Sequence, residues 1–111
     1  MSRSATERLG DALILIDTAI EYAARSALDD VTVDAISLRI ASGIECLQKL
    51  PDAVRDAMFG DAWPDVWGMR NRIAHTSSTV QPDVVMATVT HDLPGIRSRI
   101  ADELAERESA R

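Results

Sequence analysis

Aromatic side chains are scarce in this sequence of 111 residues, which has two tryptophans, one tyrosine and one phenylalanine. Hydrophobic residues nevertheless make up 46% of the chain, so the core must be built from Ala, Ile, Leu, Val and Met, as in packed helices. The single cysteine, Cys46, excludes an internal disulfide and a thiolate metal cluster. No stretch approaches the roughly 18 consecutive apolar residues of a membrane span. These absences predict a small helical protein without a membrane segment.

Positive charge is also in short supply, since 18 acidic residues face 12 basic ones and the formal net charge is −6. Nonspecific nucleic-acid binding needs a broad basic surface that releases counterions, so any contact with RNA must be local. Arginine supplies 11 of the 12 basic residues, and beyond the N-terminal segment they are concentrated only in the pairs Arg70/Arg72 and Arg97/Arg99. The first residues lack a signal-peptide pattern, so a cytoplasmic location is expected.

Apolar residues recur at intervals of three and four through most of the chain, which is the spacing of helices that bury one face. At this length one core is feasible and two are not. We therefore predict an all-α, up-and-down bundle of four to five helices in a single domain over residues 1–111. The predicted helices run from about Thr6 to Leu28, from a cap at Thr32 to Pro51, from Pro51 to Gly60, from a cap at Asp61 through His75, and from about Pro82 onward with a kink near Thr90 caused by Pro94.

The fourth predicted helix carries the run Arg70-Asn71-Arg72-Ile73-Ala74-His75. Arginine can hold a phosphate in a planar fork of donors, and histidine can carry a proton near neutral pH. In a metal-free ribonuclease, His75 would take the proton from a ribose 2′-OH while Arg70 stabilises the phosphoryl charge. Asn71 would orient the imidazole or the phosphate, and Arg72 would anchor the flanking RNA backbone. Because Arg70 falls at the margin of the apolar side of the helix, it should have an acidic partner, for which Glu45 is the candidate.

Arg70 and His75 lie about 140° apart around an ideal helix, so they cannot easily meet on one phosphate. Either the helix opens at His75, or two copies of the chain share the site. A two-fold dimer that packs fourth helix against fourth helix would bring each His75 near the basic residues of the other copy, and such self-complementary interfaces are the commonest. We favour the dimer.

The same residues have simpler interpretations. An Arg-x4-His pattern alone is weak, because solvated arginines and hydrogen-bonded histidines are common in helical proteins. Trp63 and Trp67 are four residues apart, which suits core packing better than a platform for stacking bases. His75 and His91 are the only imidazoles, and no carboxylate spacing beside either resembles a metal site. Neither a metal nor a cofactor is therefore expected.

Beyond these patterns, the segment from Trp63 to Asp83 resembles the HepT-like branch of the HEPN superfamily. The specific part of the resemblance is the run Gly68-Met69-Arg70-Asn71-Arg72-Ile73-Ala74-His75 followed by Val80-Gln81-Pro82-Asp83 at the start of the last helix. Asp92-Leu93-Pro94 follows downstream. Upstream, the segment from Gly43 to Leu50 is similar to a diverged form of the second-helix signature of that family.

The resemblance implies an all-α, dimeric, metal-independent endoribonuclease that is the toxin of a toxin–antitoxin pair. The antitoxin in such pairs is a small nucleotidyltransferase. The arginine and histidine of the family fall on Arg70 and His75, and its intervening polar residue falls on Asn71. RNA would be the substrate, and no membrane partner is implied.

The sequence departs from the family at Ser77, where members usually carry a tyrosine that the antitoxin adenylylates. Either a neighbouring hydroxyl replaces that tyrosine, or inhibition is by binding alone. The candidate hydroxyls belong to Ser77, Ser78, Thr76 and Thr79. One alternative is a catalytically weakened HEPN module that binds nucleotide, RNA or a nucleotidyltransferase partner. Another is a purely structural partner of a second enzyme, in which Arg70 and His75 are both dispensable.

Overall fold

The computed structural model describes residues 3–25, 28–75 and 81–110, with only the backbone of residues 74 and 75. Over these ranges the chain forms six α-helices and one 3₁₀ turn, with no strand, so the all-α prediction is confirmed. The helices are α1 (Ala5–Ala23), α2 (Asp30–Gln48), α3 (Asp52–Phe59), α4 (Trp63–His75), α5 (Pro82–His91) and α6 (Leu93–Ser109), and the 3₁₀ turn is Gly60–Ala62.

The first helix begins with a capping box. The Ser4 hydroxyl accepts from the Glu7 backbone N–H at 3.1 Å, and the Glu7 carboxylate accepts from the Ser4 N–H at 3.1 Å. The Ser4 backbone hydrogen bond is the main reason that the pKa of Glu7 is lowered. The helix ends at Ala23, where the prediction had extended it to about Leu28.

The second helix is capped by Asp29, and the predicted cap at Thr32 is wrong. Asp29 has an extended backbone, and its carboxylate accepts from the Thr32 backbone N–H at 2.8 Å. Thr32 is therefore inside the first turn and supplies the amide that the cap satisfies. This hydrogen bond is also the main cause of the lowered pKa of Asp29.

The entry into α4 also differs from the prediction. Gly60 ends α3 with a positive φ of 52°, a conformation that glycine adopts without strain. Asp61 then lies inside the 3₁₀ turn and does not cap α4, because the turn runs directly into the helix and the Trp63 N–H donates to the Gly60 carbonyl. Pro64 occupies the first turn of α4, as predicted.

The last predicted helix is two helices. α5 ends at His91, α6 begins at Leu93, and Asp92 between them has φ −109° and ψ −42°. Pro94 lies in the first turn of α6, where its missing N–H would have had no partner within the helix. The predicted kink near Thr90 is thus a break at Asp92, after which Pro94 falls in the first turn of a new helix.

Buried apolar side chains from all six helices form one cluster. α1 makes its most extensive contact with α2, while α6 packs against α1 and α4 packs against α2. A Cβ on Gly43 would lie 3.0 Å from Ile16 Cδ1, so glycine is what lets α1 and α2 approach this closely. Among the described helices, none has both the length and the apolar character that crossing a bilayer requires. The largest fully buried side chains are Leu9, Ile16, Val33, Ile36, Ile40, Ile44, Leu47, Leu93 and Ile100.

Candidate functional site

The helix α4 turns one side to the core and places Arg70 at the edge of that side. Val66, Met69 and Ile73 are buried, at three- and four-residue intervals, as the sequence pattern predicts. Arg70 is half-buried beside them, with 22% of its side chain exposed. Arg72 lies on the solvent side of the helix.

Glu45 on α2 is the acidic partner of Arg70. Arg70 Nε donates to Glu45 Oε1 at 3.0 Å, and Arg70 Nη2 donates to the same oxygen. One carboxylate oxygen therefore occupies one edge of the planar guanidinium. Because Glu45 is on α2 and Arg70 is on α4, the packing of these two helices fixes the direction of the guanidinium.

Asn71 binds the other side of the same group, since Arg70 Nη1 donates to Asn71 Oδ1 at 3.3 Å. A guanidinium has five N–H groups, and these hydrogen bonds use three of them. Within the described part of the chain, one N–H on each terminal nitrogen of Arg70 is left for a ligand. An N–H group of this kind can donate to a phosphate oxygen.

The Trp67 ring lies beneath the charged end of Arg70, a contact that the sequence analysis did not predict. Arg70 Cζ lies 5.1 Å from the centre of the Trp67 ring, within the range of a cation–π interaction. Trp67 in turn stacks on Trp63, with ring centres 6.2 Å apart. The available signal was the three-residue interval between Trp67 and Arg70, which brings side chains together on a helix.

The position of His75 is described for its backbone alone. α4 is helical from Arg70 to His75, which keeps these two positions about 140° apart around the helix axis. The His75 side chain lies outside the described residues, as do Thr76, Ser77, Ser78 and Thr79. The structure thus brings together Arg70, Asn71 and Glu45, and the roles assigned to His75 and Ser77 stay predictions.

No group of three or more His, Cys, Asp or Glu side chains within the described ranges is arranged to hold a metal ion. The free thiol of Cys46 is half-buried on α2, and burial raises its pKa above the ordinary value. A thiol with a raised pKa is a weak nucleophile at neutral pH. The groups that the described residues bring together at this site are the guanidinium of Arg70, the carboxylate of Glu45 and the amide of Asn71.

The all-α bundle with Arg70 on its fourth helix agrees with what the resemblance to the HEPN superfamily implies. The chain belongs to the HepT-like ribonuclease family, whose model matches residues 9–102. The match extends from α1 into α6 and includes both Glu45 and the run from Arg70 to His75. No curated protein matches the chain, and no solved structure does.

Proposed function

We propose that this protein is a metal-independent endoribonuclease that acts as the toxin of a toxin–antitoxin pair. The observation that carries the proposal is the orientation of Arg70. Glu45 and Asn71 hold the guanidinium, and among the residues that the structure describes no other group takes the second N–H on each terminal nitrogen, so both can donate to a phosphate. The family match supports ribonuclease chemistry in general.

The proposed reaction is an internal transesterification. His75 takes the proton from a ribose 2′-OH, the 2′-oxygen forms a bond to the adjacent phosphorus, and the bond to the 5′-oxygen breaks. The products are a 2′,3′-cyclic phosphate and a 5′-hydroxyl, whose oxygen takes up a proton from water. Arg70 stabilises the charge that builds on the phosphoryl oxygens. Asn71 contacts Arg70 through Oδ1, which favours a part in orienting the phosphate-binding group. Arg72 anchors the flanking RNA backbone from the exposed side of the helix.

The proposed active form is a homodimer. Since α4 is helical through His75, the two catalytic positions lie on different sides of one helix, and a second copy is the simplest way to complete the site. Two exposed apolar side chains offer a surface for that second copy on α2, rather than the contact of fourth helix with fourth helix that the sequence suggested. Val31 is 77% exposed and Leu38 is 65% exposed, and Glu45 follows at the same seven-residue interval. A second copy on this surface would border the residue that holds Arg70.

The proposed antitoxin is a small nucleotidyltransferase in the same cytoplasm. The family's target tyrosine is replaced by Ser77, so the partner either modifies a nearby hydroxyl or inhibits by binding alone. Mass spectrometry of the toxin after incubation with the partner and ATP separates these two modes. A growth test with and without the adjacent gene product tests the pairing itself.

The cleavage proposal is tested with purified protein and labelled cellular RNA. Arg70→Met removes the phosphate-binding group, and Arg97→Met is its matched control, because Arg97 is an ion-paired arginine on α6 whose partner is Asp17 on α1. We expect cleavage by the parent and by the control variant, and its loss in Arg70→Met. Equal cleavage by all three would contradict the proposal. Activity should also persist with a chelator present, and its loss would exclude the metal-free mechanism.

A second candidate is a catalytically weakened HEPN module that binds nucleotide, RNA or the nucleotidyltransferase. The net charge of −6 and the serine at position 77 favour it. This candidate predicts that the parent binds a short RNA, that Arg70→Met weakens the binding, and that neither protein cuts the RNA. The same set of variants therefore decides between the two candidates.

A further inference from the structure

Both tryptophans of the chain lie in one column of side chains. The column consists of Arg55, Trp63, Trp67 and Arg70. Arg55 Cζ is 5.1 Å from the centre of the Trp63 ring, and Arg70 Cζ is 5.1 Å from the centre of the Trp67 ring. Between them the two indoles stack, with centres 6.2 Å apart and planes inclined by 28°. We call these four residues the tryptophan column.

Helix geometry explains why three members of the column stack. Positions 63, 67 and 70 are four and three residues apart, so they follow one another along one side of α4. Side chains on a helix lean toward its N-terminus, which carries Arg70 back over Trp67 and Trp67 back over Trp63. The Trp67 ring therefore has an indole on one side and a guanidinium on the other. An aromatic ring that stacks on an RNA base needs an open face. The contacts in the column therefore favour a role for Trp67 in packing against its neighbours over a role in binding a base.

Both ends of the column are attached to the C-terminal part of α2. Arg55 Nη1 donates to the carbonyl of Gln48 at 2.7 Å and to that of Leu50 at 3.2 Å. At the other end, Arg70 is bound to Glu45, which lies one turn earlier on the same helix. The column is therefore attached at each end to α2 or to the residues that directly follow it.

We propose that Trp67 is a positioning residue for Arg70, an inference that rests on the proposed function. Glu45 binds one edge of the guanidinium through a single oxygen, and Asn71 adds one contact at 3.3 Å. These two contacts leave the guanidinium able to turn about the line that joins them, and the Trp67 ring, whose centre lies 5.1 Å from Arg70 Cζ, restricts that movement. The attraction acts between the ring and the delocalised charge, so it leaves the hydrogen bonds of Arg70 with Glu45 and Asn71 in place. Trp67 thereby keeps the two remaining donors of Arg70 aimed at the phosphate.

A double-mutant cycle on unfolding tests the contact without any need for activity. The variants are Trp67→Leu, Arg70→Met and the pair, with urea unfolding followed by far-UV circular dichroism. The two single effects predict an unfolding equilibrium constant for the double variant if the side chains do not interact. We expect the measured constant to be about three- to tenfold smaller than that prediction, which is the size of a cation–π contact. The same cycle with Trp63→Leu is the control and should be additive, because Trp63 touches Trp67 and not the Arg70 guanidinium. Additivity in both cycles would overturn the inference.

Cleavage kinetics test the positioning role. Trp67→Leu should lower kcat about three- to tenfold with little change in KM, and Trp67→Phe, which keeps an aromatic face, should restore most of the loss. Parental kcat in Trp67→Leu, or a Trp67→Phe variant that cleaves no faster than Trp67→Leu, would refute the inference. If the parent cuts no RNA, the proposed function fails, and the unfolding cycle alone decides whether Trp67 holds Arg70.

Discussion

Replacing Glu45 by alanine should lower the free energy of unfolding by about 1–2 kcal/mol. The change removes two hydrogen bonds to a guanidinium that is only 22% exposed. Hydrogen bonds to charged groups contribute about 1.5–3 kcal/mol when they are buried. The Glu45 side chain is 42% exposed, so water replaces part of that contribution and the expected loss is smaller.

The matched control is Asp17→Ala, which breaks the ion pair between Asp17 on α1 and Arg97 on α6. That pair is equally well formed, with Arg97 Nε 2.5 Å from Asp17 Oδ1, but both side chains are more than 40% exposed. Exposed pairs of this kind contribute about 0–1 kcal/mol. The two acidic residues are similarly exposed, so a difference between the variants reports on the burial of the arginine.

The assay is urea unfolding followed by far-UV circular dichroism, with the slope against denaturant compared among the variants. An unchanged slope means that a shift in midpoint is a change in stability. Equal losses in Glu45→Ala and Asp17→Ala would refute the argument, because Arg70 would then gain no more from its partner than a surface arginine does.

Three further predictions follow from other parts of the molecule. His75→Ala should lower RNA cleavage by at least about 10²-fold while the circular dichroism spectrum is retained, and parental cleavage would exclude His75 as the base. Gly10→Ala should stabilise the protein by up to about 1 kcal/mol, because the added Cβ would meet nothing within 4 Å. Gly43→Ala should not bring this stabilisation, because its Cβ would crowd the Ile16 side chain. Equal denaturation midpoints for the two variants would contradict this. The lowered pKa of Asp29 means that its stabilising effect is complete above the ordinary pKa and is lost as the pH falls through the folded value. Asp29→Asn, which keeps the cap but does not titrate, should therefore lose less stability than the parent below about pH 4, and parallel profiles would count against the argument.

The features that the sequence predicts well are those set by periodicity and by the cost of burying charge. The three-and-four spacing on α4 predicts that Val66, Met69 and Ile73 face the core, and it places Arg70 at their margin. An arginine in that position needs a partner on the neighbouring helix, and Glu45 is that partner. Both inferences depend only on which side of α4 faces the core, and the spacing of apolar residues along the sequence gives that information.

The features that the sequence predicts poorly are decided by competition among neighbouring groups. Asp29 and Thr32 are both good capping residues three positions apart, and the structure uses the first as the cap and the second as its donor. At the start of α4, a 3₁₀ turn satisfies the backbone that Asp61 was expected to cap. The interval between Trp67 and Arg70 places both side chains on one side of α4, but the final position of the guanidinium also depends on Glu45 from α2, which that interval does not contain.

The ion pair between α2 and α4 has a consequence for a newly synthesised chain. Arg70 lies on α4, and the Glu45 carboxylate that orients it lies on α2. The direction of the guanidinium is therefore set only when the two helices pack together. Until the second helix has docked on the fourth, the guanidinium has many directions available and no fixed set of donors. A chain that is still folding therefore contains Arg70, Asn71 and Glu45, but its guanidinium is not yet oriented to bind a phosphate.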